Sequence, residues 1–137
     1  MYSSGKRNLS TVFAGEESKA DASLSNTYWK AVELSGTPVK IGAGGKELHM
    51  ILNETTNRVK GFSGCNSFSG GFEQKGKRLS FGPMAATRMA CAEGMEQEQL
   101  FLQALGSVKK FGISGENLIF YDDTQQQLLH FTAVYLQ

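Results

Sequence analysis

Cys65 and Cys91 are the only cysteines in the chain, and His49 and His130 the only histidines. Four such side chains could in principle meet around zinc, or pair as thiol and base. Their spacing supports neither. There is no Cys-x-x-Cys motif, and both histidines fall on predicted strands far along the chain from either thiol. Two readings of the cysteines stay open. They are joined in a disulfide, which would close a loop of about 27 residues and contribute about 3.5 kcal/mol against the unfolded chain. Or they are free thiols buried in the core of a protein in a reducing compartment. Ser63, Ser67 and Ser69 supply hydroxyls but no nucleophile elbow. Asp122-Asp123 reads as a turn between strands. Gly42-Ala43-Gly44-Gly45 has no helix behind it and no lysine placed to cradle phosphate, so it reads as a flexible loop. The sequence therefore predicts no catalytic constellation, no metal site and no cofactor site.

The elements that must position these residues are mostly strands. Tyr28 to Leu34 opens the folded part. Lys46 to Asn53 places Leu48, Met50 and Leu52 on one face, and Asn57 to Phe62 alternates Val59 and Gly61 with Arg58 and Lys60. Phe68 to Gln74 and the strand holding Leu79 and Phe81 flank a turn at Lys75-Gly76-Lys77. Phe111 to Ser114 and Asn117 to Tyr121 flank Gly115-Glu116, a hairpin turn. Gln127 to Tyr135 closes the series, with Leu129, Phe131, Ala133 and Tyr135 on one face. One helix interrupts them, from about Gly94 to Lys109. Leu100, Phe101, Ala104, Leu105 and Val108 form its apolar stripe. Glu93, Glu96 and Glu98 near its start and Lys109 and Lys110 near its end suit the helix dipole. The stripe has to cover one face or one open end of the sheet.

Composition narrows the class. A length of 137 residues allows one domain with a substantial core. A net charge of +1 gives no basic surface for nucleic acid, and no apolar run approaches the roughly 20 residues of a membrane span. Residues 1–26 are polar and aperiodic and read as a flexible tail or tether, with a short contact through Val12 and Phe13; the domain is expected from Thr27. Lys6 and Arg7 have no apolar stretch behind them, so no signal peptide is recognised.

Gly64-Cys65-Asn66-Ser67-Phe68-Ser69-Gly70, then Met84-Ala85-Ala86-Thr87-Arg88-Met89-Ala90-Cys91, then a Glu-rich helix resembles the META domain family. That family includes the HslJ-type heat-shock-inducible lipoproteins of Gram-negative bacteria. The likeness runs from about Thr27 to Gln137 and takes in Trp29 and the Leu79 to Phe81 strand. It implies an α+β fold: antiparallel strands in a partly open barrel, with one helix packed against it. It also implies export to the cell envelope, as a periplasmic protein or outer-membrane lipoprotein, often through a lipidated N-terminal cysteine. No such cysteine precedes Cys65 here, so membrane contact is expected only through an anchor this chain does not carry. Export favours the disulfide reading of Cys65 and Cys91.

The family's associations, heat shock and novobiocin resistance, name no molecular act. Physically, Asn66, Thr87 and Arg88 are expected to bond loops together beside the cysteines, with Arg88 clamping loop carbonyls rather than facing a partner. The leading functional reading is a non-catalytic, monomeric envelope domain that binds a protein partner, or an apolar ligand between sheet and helix. A structural, stress-protective module with a filled core is the alternative. A hydrolase or thiol enzyme comes last.

Overall fold

Alternation of apolar and polar residues builds one antiparallel sheet, and a single α-helix packs against it. The computed structural model describes residues 21–135. The strands are β1 (Tyr28–Leu34), β2 (Thr37–Pro38), β3 (His49–Asn53), β4 (Arg58–Phe62), β5 (Ser67–Lys75), β6 (Arg78–Ala86), β7 (Lys110–Ser114), β8 (Asn117–Tyr121) and β9 (Gln127–Val134). Helix α1 (Met95–Gly106) stands between β6 and β7. Strand neighbours run β2-β1-β3-β4-β5-β6-β7-β8-β9, and β1 pairs with β9 as well, so hydrogen bonds run round a ring. The ring is thinnest between β6 and β7. They pair only at Arg78↔Lys110, flanked by bonds from Leu79 N–H to the Lys109 carbonyl and from Phe111 N–H to the Lys77 carbonyl, both 3.0 Å. Helix α1 packs against β6 and β1. This is the α+β arrangement that the family resemblance implies, antiparallel strands joined in a ring of hydrogen bonds with one helix packed against them.

The interior is aromatic and aliphatic. Trp29, Phe101, Phe120, Phe131, Leu48, Met50 and Leu52 are fully buried. Ring centroids of Phe101 and Phe131 lie 6.2 Å apart, those of Phe120 and Phe131 5.2 Å, and those of Phe68 and Phe101 5.8 Å. Each such side chain is worth about 1.5–3 kcal/mol of transfer from water.

Several boundaries differ from the sequence reading. Packing reaches ahead of Thr27: Leu24 is buried, its carbonyl accepts from Trp29 Nε1 at 2.9 Å, and Asp21 Oδ1 accepts from Gly115 N–H at 2.8 Å. The expected contact through Val12 and Phe13 lies outside the described residues. Strand β6 runs past Phe81 to Ala86, because a bulge absorbs Gly82 and Pro83 opposite Gly71 and pairing resumes at Gly70↔Met84. Helix α1 stops at Gly106, short of Lys109. Leu100, expected in the apolar stripe, is 50% exposed. Glu98 takes a place in the stripe instead, three, four and seven residues before Phe101, Leu102 and Leu105 on one helical face. Tyr135, expected inward, is also exposed.

Candidate functional site

Both cysteine motifs meet at the start of α1. Cys65 and Cys91 are joined, with an S–S distance of 2.03 Å. Beside them Glu98 is only 7% exposed, and its carboxylate collects donors from the loop after β4. Oε1 accepts from Asn66 N–H at 2.6 Å, Cys65 N–H at 3.0 Å and Ser63 Oγ at 2.8 Å; Oε2 accepts from Asn66 Nδ2 at 2.9 Å. Ser63 Oγ also lies 3.0 Å from the Asn66 carbonyl, but a hydroxyl has one proton and the charged acceptor is the stronger. Burial pushes the Glu98 carboxyl up. The hydrogen bonds from the Asn66 side chain and backbone, Ser63 and Cys65 outweigh it and hold the group below its ordinary value.

Asn66 passes the connection on. Its Oδ1 accepts from Thr87 Oγ1 at 2.9 Å and Met89 N–H at 2.8 Å, and its Nδ2 also donates to the Met89 carbonyl at 3.2 Å. The amide thereby uses all its donors and acceptors. Three segments are tied together: the loop after β4, the segment after β6, and α1. Glycine lets two of them touch. Gly64 and Gly94 have φ of 134° and 94°. A methyl group on Gly94 would come within 2.5 Å of the Gly64 carbonyl oxygen, and one on Gly64 within 2.8 Å of the Gly94 carbonyl oxygen.

Asn66 and Thr87 meet beside the disulfide, where the Asn66 amide bonds the loop after β4 to the segment after β6. Arg88 does not clamp. It is exposed and hydrogen-bonds no described residue, because the backbone of Met89, one residue on, does the bridging. Sequence reasoning missed Glu98 and Ser63. Glu98 read as one of three acids suited to a helix dipole, although its i, i+3, i+7 relation to Phe101 and Leu105 was the available signal.

The histidines stand elsewhere. His49 stacks on Tyr28 with centroids 4.5 Å apart, and its Nδ1 lies 3.1 Å from the Glu47 carbonyl. Burial, reinforced by the bond its hydroxyl gives Glu47, pushes Tyr28 up to about 12. His130 Nε2 lies 2.9 Å from Asn117 Oδ1. Neither hydrogen-bonds a described Ser or Cys. Asp122 is a turn residue: its Oδ1 accepts from the Thr124 hydroxyl and the Thr124 and Gln126 N–H groups, which hold its carboxyl below the usual range. Among the described residues, no three His, Cys, Asp or Glu are grouped to hold a metal, and no helix is long and apolar enough to cross a membrane.

Two grooves flank α1. One, of about 820 Å³, lies between the β1–β2 hairpin and the outer helix face, with Ile41 and Leu100 in its wall. Gln97 ties that helix face to the Lys40 backbone, its amide bonding the Lys40 N–H and carbonyl at 2.9 Å each. The other, of about 570 Å³, lies between the end of β6 and α1, walled by Met84, Arg88, Met89, Met95 and Leu102.

The family model of the META domain matches residues 22–135. No curated protein matches the chain. An NMR structure of a protein from Burkholderia xenovorans is 25% identical, with a TM-score of 0.66 over 91% of this chain and 100% of that one. A second protein solved by NMR is 22% identical, with a TM-score of 0.60 over 80% of this chain and 90% of its own. A crystal structure of a DUF4847 family protein from Bacteroides vulgatus is 9% identical, with a TM-score of 0.57 over 83% of this chain and 96% of its own. The last two likenesses show the fold alone.

Proposed function

The chain belongs to the META domain family, and on that premise we propose that it is a non-catalytic domain of the bacterial cell envelope that binds a protein partner on its surface. The observation that carries this reading is the use of the interior. The space between sheet and helix, where an apolar ligand would sit, holds the rings of Phe68, Phe101, Phe120 and Phe131 in mutual contact. The side chains of Ser63, Asn66, Thr87 and Glu98 are spent on one another and on nearby backbone, and a carboxylate held below its usual pKa is a weak base.

A purely structural module would also have a filled core. Binding is favoured over it by the apolar side chains left outside around α1: Met89 is 59% exposed, Met95 41% and Leu100 50%. The disulfide suits an oxidising compartment. A role in heat shock or other envelope stress belongs to the same proposal and is supported by the family resemblance alone.

The test is a photo-crosslinking residue placed at Met89 in cells carrying the full chain, with one at Thr55 in the exposed β3–β4 turn as control. A discrete adduct from Met89 and none from Thr55 is expected. Equal adducts from both would overturn partner binding. So would turnover of an ester, peptide or glycan by the purified protein that is lost in His49→Ala or His130→Ala with folding intact.

A further inference from the structure

We propose that the free edge of β6, together with the facing side of α1, docks an extended, acidic segment of the partner as an added strand. This deepens the partner-binding reading and rests on it. The alternation along β6 sets the edge. Thr87 N–H donates to the Ser67 carbonyl at 3.1 Å, which turns the backbone groups of Ala85 and Thr87 toward β5. Met84 and Ala86, between and before them, turn their N–H and C=O groups the other way. On that side β7 is already gone, since its pairing with β6 stops at Arg78↔Lys110. Those groups have no strand partner among the described residues. Upstream, the bulge and Pro83, which has no N–H, blunt the edge. The segment from Met84 to Ala86 is left as a short ladder that only an extended backbone complements.

The groove alongside has the size and lining for such a segment. Its volume of about 570 Å³ is within the range of ligand pockets. Met84, Met89 and Met95 line it, three of the five methionines in the chain, and thioether side chains adapt to varied apolar partners. Its wall is preformed, because the disulfide and the Asn66 bonds fix the segment from Thr87 to Cys91, which spares the cost of ordering it on binding. Charge selects the occupant. Glu98, the one acid in the lining, is committed to its four donors. Arg88 is exposed with no ion pair among the described residues. The uncommitted charge of the groove is therefore positive, and it calls for Asp or Glu on a strand whose alternate side chains are apolar.

The experiment selects from a phage-displayed library of random heptapeptides on the immobilised full chain, then measures recovered peptides by titration. Apolar residues at alternate positions beside an Asp or Glu are expected. Ala86→Pro deletes one N–H from the free edge without touching the β5 ladder and should weaken binding about tenfold. Arg88→Gln should weaken it and Arg88→Lys restore it. N-methylation of the peptide should weaken binding at one set of alternate residues and not at the other, a readout that needs no protein variant to fold. Failure to recover a binder, equal binding to Ala86→Pro, or indifference to N-methylation in both phases would overturn the edge. So would chemical-shift changes confined to the Ile41 and Leu100 face. The crosslink from Met89 judges partner binding separately, so the edge can fall while partner binding stands, and the two failures are told apart.

Discussion

Glu98 carries a charge that water scarcely reaches, and dipoles from one short loop stabilise it in place of a counter-ion. Replacing it with Ala would leave the Ser63 hydroxyl and the Cys65 and Asn66 N–H groups without their acceptor. Unfolding in urea should show a loss of about 3 kcal/mol or more. The same bonds give a pH dependence of known sign. The folded carboxyl is held below its unfolded value, so the unfolded chain takes up the proton first. The group's contribution is complete above about pH 4.3 and is lost as pH falls through the folded value. The stability gap between the native chain and Glu98→Gln should therefore narrow in acid; a gap constant from pH 7 to pH 3 would contradict the assignment. In the sequence, only its spacing to Phe101 and Leu105 set Glu98 apart from Glu93 and Glu96, because the donors that hold it sit on a loop more than thirty residues earlier. Asn66 and Thr87 were legible because each lies within a few residues of a cysteine.

At the scale of elements, α1 is held by a narrow stripe. Phe101 is fully buried between Phe68 and Phe131, and Phe101→Ala should cost about 3–5 kcal/mol. Leu100→Ala, one position round the helix and half exposed, should cost less than about 1 kcal/mol. Equal losses in thermal or urea unfolding would mean the helix is turned differently. The helix and most strands could be read from period alone, as Leu48, just ahead of β3, and Met50 and Leu52 within it show, all fully buried. The second half of β6 could not, because Gly82 and Pro83 break the alternation that marks a strand, and the bulge that accommodates them is set by Gly71 on β5. Leu100 was misplaced because an apolar residue was counted and the buried carboxylate at Glu98 was not.

For the whole molecule, the domain includes a short lead-in. A chain beginning at Thr27 would lack the buried Leu24 and the acceptor it gives Trp29. It should be less stable than one beginning at Asp21 by about 2–4 kcal/mol, read from their urea midpoints. Composition could not show this, since Leu24 is one apolar residue among polar neighbours and only its contact with Trp29 reveals its place. The pairing of β1 with β9 has a different consequence, in time rather than in space. Tyr28 meets Val134 about 100 residues later, so a chain still emerging from the ribosome has β1 without its second neighbour. The arc from β3 to β6 needs nothing from the C-terminus and can form early. The ring itself must wait for the last strand, which makes its closure an event after synthesis, and leaves the edge of β1 open to other chains until then.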